Sequence, residues 1–187
     1  MPVMKRLITL LLSAALLLAF ASAAADSITV REFEDFTLKT QYALEYAGPK
    51  VEGQPLFAYY RTVTGEISTS AVNVVWLSSQ NPVSAGDFTA MLRNAEPVMR
   101  AQQESKGNTV KNYQVTEAVE AEYWGKAGLV CDTEMTVWLA NSNVSVIQRS
   151  ICVTGSFGTY IFSISAFSWK SLEEATEELV QAIQWKR

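Results

Sequence analysis

The chain offers few groups able to make or break bonds. Its 187 residues include no histidine, which excludes Ser-His and Cys-His nucleophiles, imidazole metal sites and histidine pH switches. No Gly-x-Gly-x-x-Gly, P-loop or EF-hand pattern occurs, and no serine stands three residues before a lysine, so phosphate-cradling loops and the Ser-x-x-Lys dyad are missing too. Gly155-Ser156-Phe157-Gly158 lies between strand-like segments and reads as a hairpin turn. Three kinds of candidate remain: the cysteines Cys131 and Cys152, two acidic clusters (Glu32, Glu34 and Asp35; Glu117, Glu120 and Glu122), and the adjacent aromatics Tyr59-Tyr60 and Tyr123-Trp124.

Each candidate has a chemical and a structural reading. Acidic residues at alternate strand positions could converge on calcium, which needs six or more oxygens. They serve equally as a solvated strand edge that repels unwanted pairing. Two carboxylates about 5–10 Å apart in a cleft would suit glycoside hydrolysis. Nothing in the spacing selects such a pair, so no catalytic, cofactor-binding or metal-binding residue is assigned and no cofactor is expected. Neighbouring residues on a strand face opposite sides; one ring of each aromatic pair therefore belongs to a core, and the other could form a contact surface. Asn143-Val144-Ser145 is a glycosylation sequon, relevant in a eukaryotic source.

The cysteines give a sharper expectation. Leu129–Ala140 and Asn143–Val153 are rich in Val, Thr, Ile and Trp and read as strands around Asn141-Ser142-Asn143. A two-residue loop at Asn141-Ser142 would set Cys131 opposite Cys152, Glu134 opposite Arg149, Thr136 opposite Ile147 and Leu139 opposite Val144. At such a non-hydrogen-bonded position the Cα atoms approach to about 4.5 Å, which a disulfide tolerates. A cross-strand staple contributing on the order of 3 kcal/mol is the expectation.

Location follows from Met1–Ala25. Lys5 and Arg6 precede the apolar run Leu7–Phe20, and Ala21-Ser22-Ala23 and Ala23-Ala24-Ala25 supply small residues for cleavage, the three parts of a secretory signal peptide. Removing these 25 residues from 187 leaves 162. It takes two of the 15 basic residues and none of the 19 acids, so the net charge moves from −4 to −6. An acidic exported domain of this length is expected to be one folded unit, residues 26–187, without a membrane span, secreted or periplasmic. Nucleic acid and anionic lipid are disfavoured as partners because both require a basic face.

The elements that must position these residues follow from periodicity. Ser27–Phe33, Phe36–Thr40, Leu56–Val63, Ala71–Ser78, Val110–Ala118 and Glu120–Trp124 carry extended signals, with turns at Thr64-Gly65-Glu66 and Gly125–Gly128. Phe88, Met91, Leu92, Ala95 and Met99 give Ser84–Gln103 a helical apolar face that Pro97 should interrupt. Thr159–Phe167 alternates as a half-buried strand, and Ser171–Lys186 is a helix with a Ser171–Glu174 capping box. The fold class is α+β: an antiparallel β-sheet with a mid-chain helix and a C-terminal helix packed on it.

The strand "AVNVVWLSS" leading into "SAGDFTAMLRNAEPVMRAQQ", the strands of "LVCDTEMTVWLANSNVSVIQRSICVTGSFGTYIFSISAF" and the closing helix "SWKSLEEATEELVQAIQW" together resemble the PsbP-like fold. That fold is shared by photosystem II extrinsic proteins, Ran-binding Mog proteins and exported bacterial proteins. Cystatin-like and START-like domains end in a similar long helix. The resemblance implies a protein-binding scaffold and transfers no activity. The expected role is a non-enzymatic exported domain binding a protein or envelope component. A small-ligand pocket between sheet and helix and a carboxylate-dependent hydrolase are the alternatives.

Overall fold

The computed structural model describes residues 24–61, 70–139 and 141–186. All but the last two residues of the signal-peptide segment Met1–Ala25, the turn at Thr64-Gly65-Glu66 and the last two residues of the expected strand Leu56–Val63 lie outside these. In chain order the elements are β1 (Ala24–Glu32), β2 (Phe36–Tyr42), β3 (Leu44–Ala47), β4 (Pro55–Arg61), β5 (Ser70–Leu77), α1 (Ala85–Arg93), α2 (Glu96–Glu104), β6 (Thr109–Val115), β7 (Val119–Tyr123), β8 (Lys126–Leu139), β9 (Ser142–Gly155), β10 (Gly158–Ala166), α3 (Trp169–Ala182) and β11 (Ile183–Trp185). The large sheet runs β3-β4-β5-β10-β9-β8-β6, with β7 also on β8, and a small sheet runs β1-β2-β11. Every pairing is antiparallel. The architecture is the α+β arrangement expected from the sequence.

β10 is the central strand, and all nine of its residues are buried. The alternation in its sequence therefore sorts side chains between two cores, where the sequence pattern suggested one core and one wet face. Ile161 joins Val75, Cys152 and Leu129 in a cross-strand row packed with Phe88, Leu92 and Met99 of α1 and α2. Phe162 joins Val74, Ile151 and Val130 on the other face, where Leu172, Ala175 and Leu179 of α3 and Phe36 and Leu38 of β2 complete the second core. Each such aromatic or aliphatic side chain contributes about 1.5–3 kcal/mol on burial.

The helices begin where local chemistry allows. Ser84 caps α1, its hydroxyl accepting the Asp87 N–H at 3.1 Å. Pro97 interrupts the mid-chain helix as expected, standing in the first turn of α2, where a missing N–H has no intrahelical acceptor to lose. At α3 the cap is Ser168, whose hydroxyl accepts from the Ser171 N–H at 3.2 Å. The expected Ser171–Glu174 box does not form because the helix starts at Trp169 and Ser171 lies inside its first turn; Glu174 turns instead to Arg61, 3.0 Å away. α3 also stops at Ala182. Ile183 is extended, and Ile183–Trp185 pairs with β2, ending the helix earlier than its apolar stripe suggested.

Two arginines of the sheet tie α3 down. Buried Arg61 reaches Glu174 and Glu178, each at 3.0 Å, and the Tyr42 hydroxyl donates to Glu178 at 2.8 Å. Arg149 makes a two-pronged contact to Asp132, both bonds 2.9 Å, and a third to Glu173 at 2.9 Å. These hydrogen bonds, led by those to Asp132, raise the Arg149 guanidinium above its ordinary range.

The cysteine staple is corrected by strand register. β8 and β9 close at Leu139↔Ser142, one residue earlier than an Asn141-Ser142 loop requires, with Asn141 at φ 70°. Asparagine tolerates that left-handed conformation, which tight hairpins demand. Cys131 thus lies opposite Ser150, Cys152 opposite Leu129, and Arg149 opposite Asp132 instead of Glu134; Thr136 and Leu139 likewise face Ser145 and Ser142. Both cysteines are free and buried. Burial pushes the Cys152 thiol up to about 12 and also raises that of Cys131. We expect both thiols to react with a thiol reagent only in denaturant, and the intact mass to be unchanged by reduction. A reduction-dependent gain of two hydrogens would restore the staple.

Candidate functional site

The first acidic cluster disperses into structural contacts. Asp35, in the link between β1 and β2, is 4% exposed. Its carboxylate accepts the Ser156 and Phe157 N–H groups at 2.8 and 3.0 Å and the Tyr160 hydroxyl at 2.8 Å. Its backbone oxygen accepts the Lys186 N–H at 2.7 Å. Burial, together with the hydrogen bond to Asp35, holds the Tyr160 phenol well above its ordinary range. A Cβ on Gly155 would stand 2.6 Å from the same carboxyl group, so glycine is required there. Glu32 takes Lys186 at 3.0 Å and Thr37 at 2.9 Å, and Glu34 pairs with Lys50, whose ammonium lies 4.3 Å from the Trp76 ring centroid. Three carboxylates with three separate partner sets do not converge on a cation. Among the described residues no group of acids and thiols is arranged to hold a metal.

Asp35→Ala should leave two turn amides and a buried hydroxyl unpaired and cost about 3 kcal/mol in urea denaturation; a loss below ~0.5 kcal/mol would show that the turn holds itself. Glu32 gives a pH signature. Its hydrogen bonds to Lys186 and then Thr37 lower its folded pKa below the ordinary 4.5. Its contribution is therefore present above that value and lost as pH falls through the folded pKa. The protection factors of β11 amides, corrected for intrinsic exchange, should fall below about pH 4.5, and Glu32→Gln should flatten that fall; an identical profile in the variant would remove Glu32 from the linkage.

Only the first aromatic pair divides as strand alternation requires; Tyr123 and Trp124 both pack on the second core, because Trp124 lies in the turn after β7. Tyr59 is 3% exposed and stacks 5.5 Å from Tyr42, so it belongs to the core and not to a contact surface. Tyr60, Tyr123 and Trp124 are half-buried. Trp124 occupies a tight turn with φ 56°, followed by Gly125 at φ 71°. A non-glycine residue in this region is strained. Here its indole N–H donates to the Val180 carbonyl of α3 at 2.9 Å, and its ring centroid lies 4.7 Å from that of Phe162 and 5.8 Å from that of Trp185. The more exposed large rings are ones the sequence reading passed over: Phe157, Phe167, Trp169 and Trp138. Trp138 had a signal, since it alternates with buried Val137 on β8. Asn143, the sequon residue, is exposed.

The second acidic cluster borders an opening. Glu117 pairs with Arg93, whereas Glu120 and Glu122 line a groove of about 660 Å³ between Pro82-Val83, ahead of α1, and the β7–β8 hairpin. Buried Leu129 and Cys152 lie at its base, with Ala121, Ala127, Gly128 and Thr154 along it and Lys126 at its edge. Glu120 pairs with Leu129 and Glu122 with Ala127, so both carboxylates leave the same face of β7. Neither has an ion-pair partner among the described residues. The Cys152 thiol at the base stays protonated at neutral pH and supplies no thiolate. A second cavity of about 470 Å³ includes Arg31, Glu32, Glu34, Lys50 and Lys186, but its lysines are already paired with its own acids. The groove is the opening that holds two unpaired carboxylates on one face of a strand.

Comparison of the sequence finds no matching family model and no matching curated protein. Solved structures do align with the fold. A protein of unknown function from Pseudomonas aeruginosa, PA94, is 12% identical over 83% of this chain and 92% of its own, with a TM-score of 0.45. The Ran-binding protein Mog1p of Saccharomyces cerevisiae is 12% identical over 84% of this chain and 96% of its own, with a TM-score of 0.42. LpqN of Mycobacterium tuberculosis, involved in cell envelope biogenesis, is 7% identical over 90% of this chain and 87% of its own, with a TM-score of 0.41.

Proposed function

We propose that the chain is an exported, non-enzymatic domain that binds a protein or envelope component through the groove beside β7. The observation that carries this reading is the groove itself: an apolar base, two carboxylates without cationic partners on its rim, and a volume within the range of recognition clefts. The histidine-free sequence and the high pKa of the groove thiol support binding over catalysis. The leader-like N-terminus supports a partner outside the cytoplasm. Among the described residues no helix is long and apolar enough to cross a membrane.

The test is site-specific photo-crosslinking in the native host. A crosslinker at Val83, on the groove, should yield a discrete adduct in the extracytoplasmic fraction, and one at exposed Glu177 of α3 should not. No adduct from Val83, or the same adduct from both positions, overturns the reading.

A further inference from the structure

Sheet edges decide what else this molecule can pair with. An edge strand presents unpaired N–H and C=O groups, and natural proteins blunt such edges with bulges, short length, proline or charged side chains. Here β3, β6 and β1 each carry a register shift, between Leu44 and Tyr46, Val110 and Asn112, and Ala24 and Thr29. β11 is three residues long. β7 differs from these. It pairs with β8 through five consecutive residues without a shift, from Val119↔Val130 to Tyr123↔Lys126, contains no proline, and carries only negative charges, Glu120 and Glu122, which oppose an acidic or self-pairing strand but not a basic one. Among the described residues no strand pairs with its other side. Val119 is 56% exposed. The tight turn of Trp124-Gly125, pinned to α3 and the second core through Trp124, holds β7 in place at its C-terminal end.

From this we infer that β7 is a template for strand addition, and that its occupant is an extended basic segment of the partner. The inference rests on the groove-binding reading and names the class of ligand. Main-chain bonds to the outward amides and carbonyls of β7 supply affinity, as in other strand-addition complexes. Alternate lysine or arginine side chains of the segment meet Glu120 and Glu122, which share one face two residues apart. An acidic segment is repelled there. A second copy of this chain added antiparallel through β7 would bring the same carboxylates together, so the edge discriminates against self-pairing.

The experiment uses the folded chain and three short synthetic peptides: one alternating lysine with valine, one alternating glutamate with valine, and the lysine peptide N-methylated at alternate amides. The lysine peptide should bind, protect outward-facing amides of residues 119–123 from exchange, and weaken as salt rises. Glu120→Lys with Glu122→Lys, both exposed positions, should weaken it by about tenfold or more. The glutamate peptide should not bind, and the N-methylated peptide should fail because it retains charge but loses main-chain donors. Equal binding of the N-methylated peptide, or protection that misses residues 119–123, overturns strand addition. No binding of the lysine peptide, or concentration-dependent dimers through β7, overturns the basic occupant. Either result leaves a Val83 crosslink intact, whereas failure of that crosslink removes the groove reading itself.

Discussion

With water on neither side of β10, the rest of the chain must supply two covers. The large apolar residues alternate between faces, Ile161 and Val75 to one and Phe162 and Val74 to the other, so each cover needs an apolar surface of its own. α1 and α2 provide one. α3 and the small β1-β2-β11 sheet provide the other. The chain order follows from this: the helix pair comes from a crossover between β5 and β6, and α3 returns after β10 to lie over the opposite face.

The second cover is held by charge as well as by burial. Arg61 and Arg149 rise from different strands to meet the acidic side of α3. Exposed ion pairs are worth little, but Arg61 is buried and its two glutamate partners offset the desolvation of its guanidinium. Asp35 does related work at the end of the sheet. One buried carboxylate holds the β9–β10 turn while its backbone oxygen takes the amide of Lys186, so the small sheet, the central hairpin and the chain end meet at a single residue. The acids that attract attention in the sequence are therefore mostly consumed by the fold. Glu120 and Glu122 are the pair left facing an open groove.

That leftover charge gives the functional reading its direction. The proposed binding role rests on this groove, with its apolar base and acidic rim beside the edge of β7. The strain at Trp124 fits the same picture. Its left-handed backbone is tolerated because the indole is bonded to α3 and packed on Phe162, which fixes the hairpin carrying the groove to the second core.

Much of the fold was legible in the sequence: the α+β class, the break at Pro97, most of the strands and the exclusion of histidine chemistry, because these depend on residue type and local periodicity. The site was legible only in part. Glu120 and Glu122 were visible as an acidic cluster, but their likeness to Glu32, Glu34 and Asp35 hid the difference between free and employed carboxylates. The disulfide failed on a one-residue displacement of a hairpin loop, which moves every cross-strand pair by two; loop composition allows both placements, and a shift of two leaves every side chain on the same face, so the apolar pattern does not distinguish them either. Residue types and spacing by themselves determined which elements form and which chemistries are absent. Strand order, register and the partner of each charge were decided only by tertiary structure, because they depend on contacts between residues far apart in the chain that no local pattern encodes.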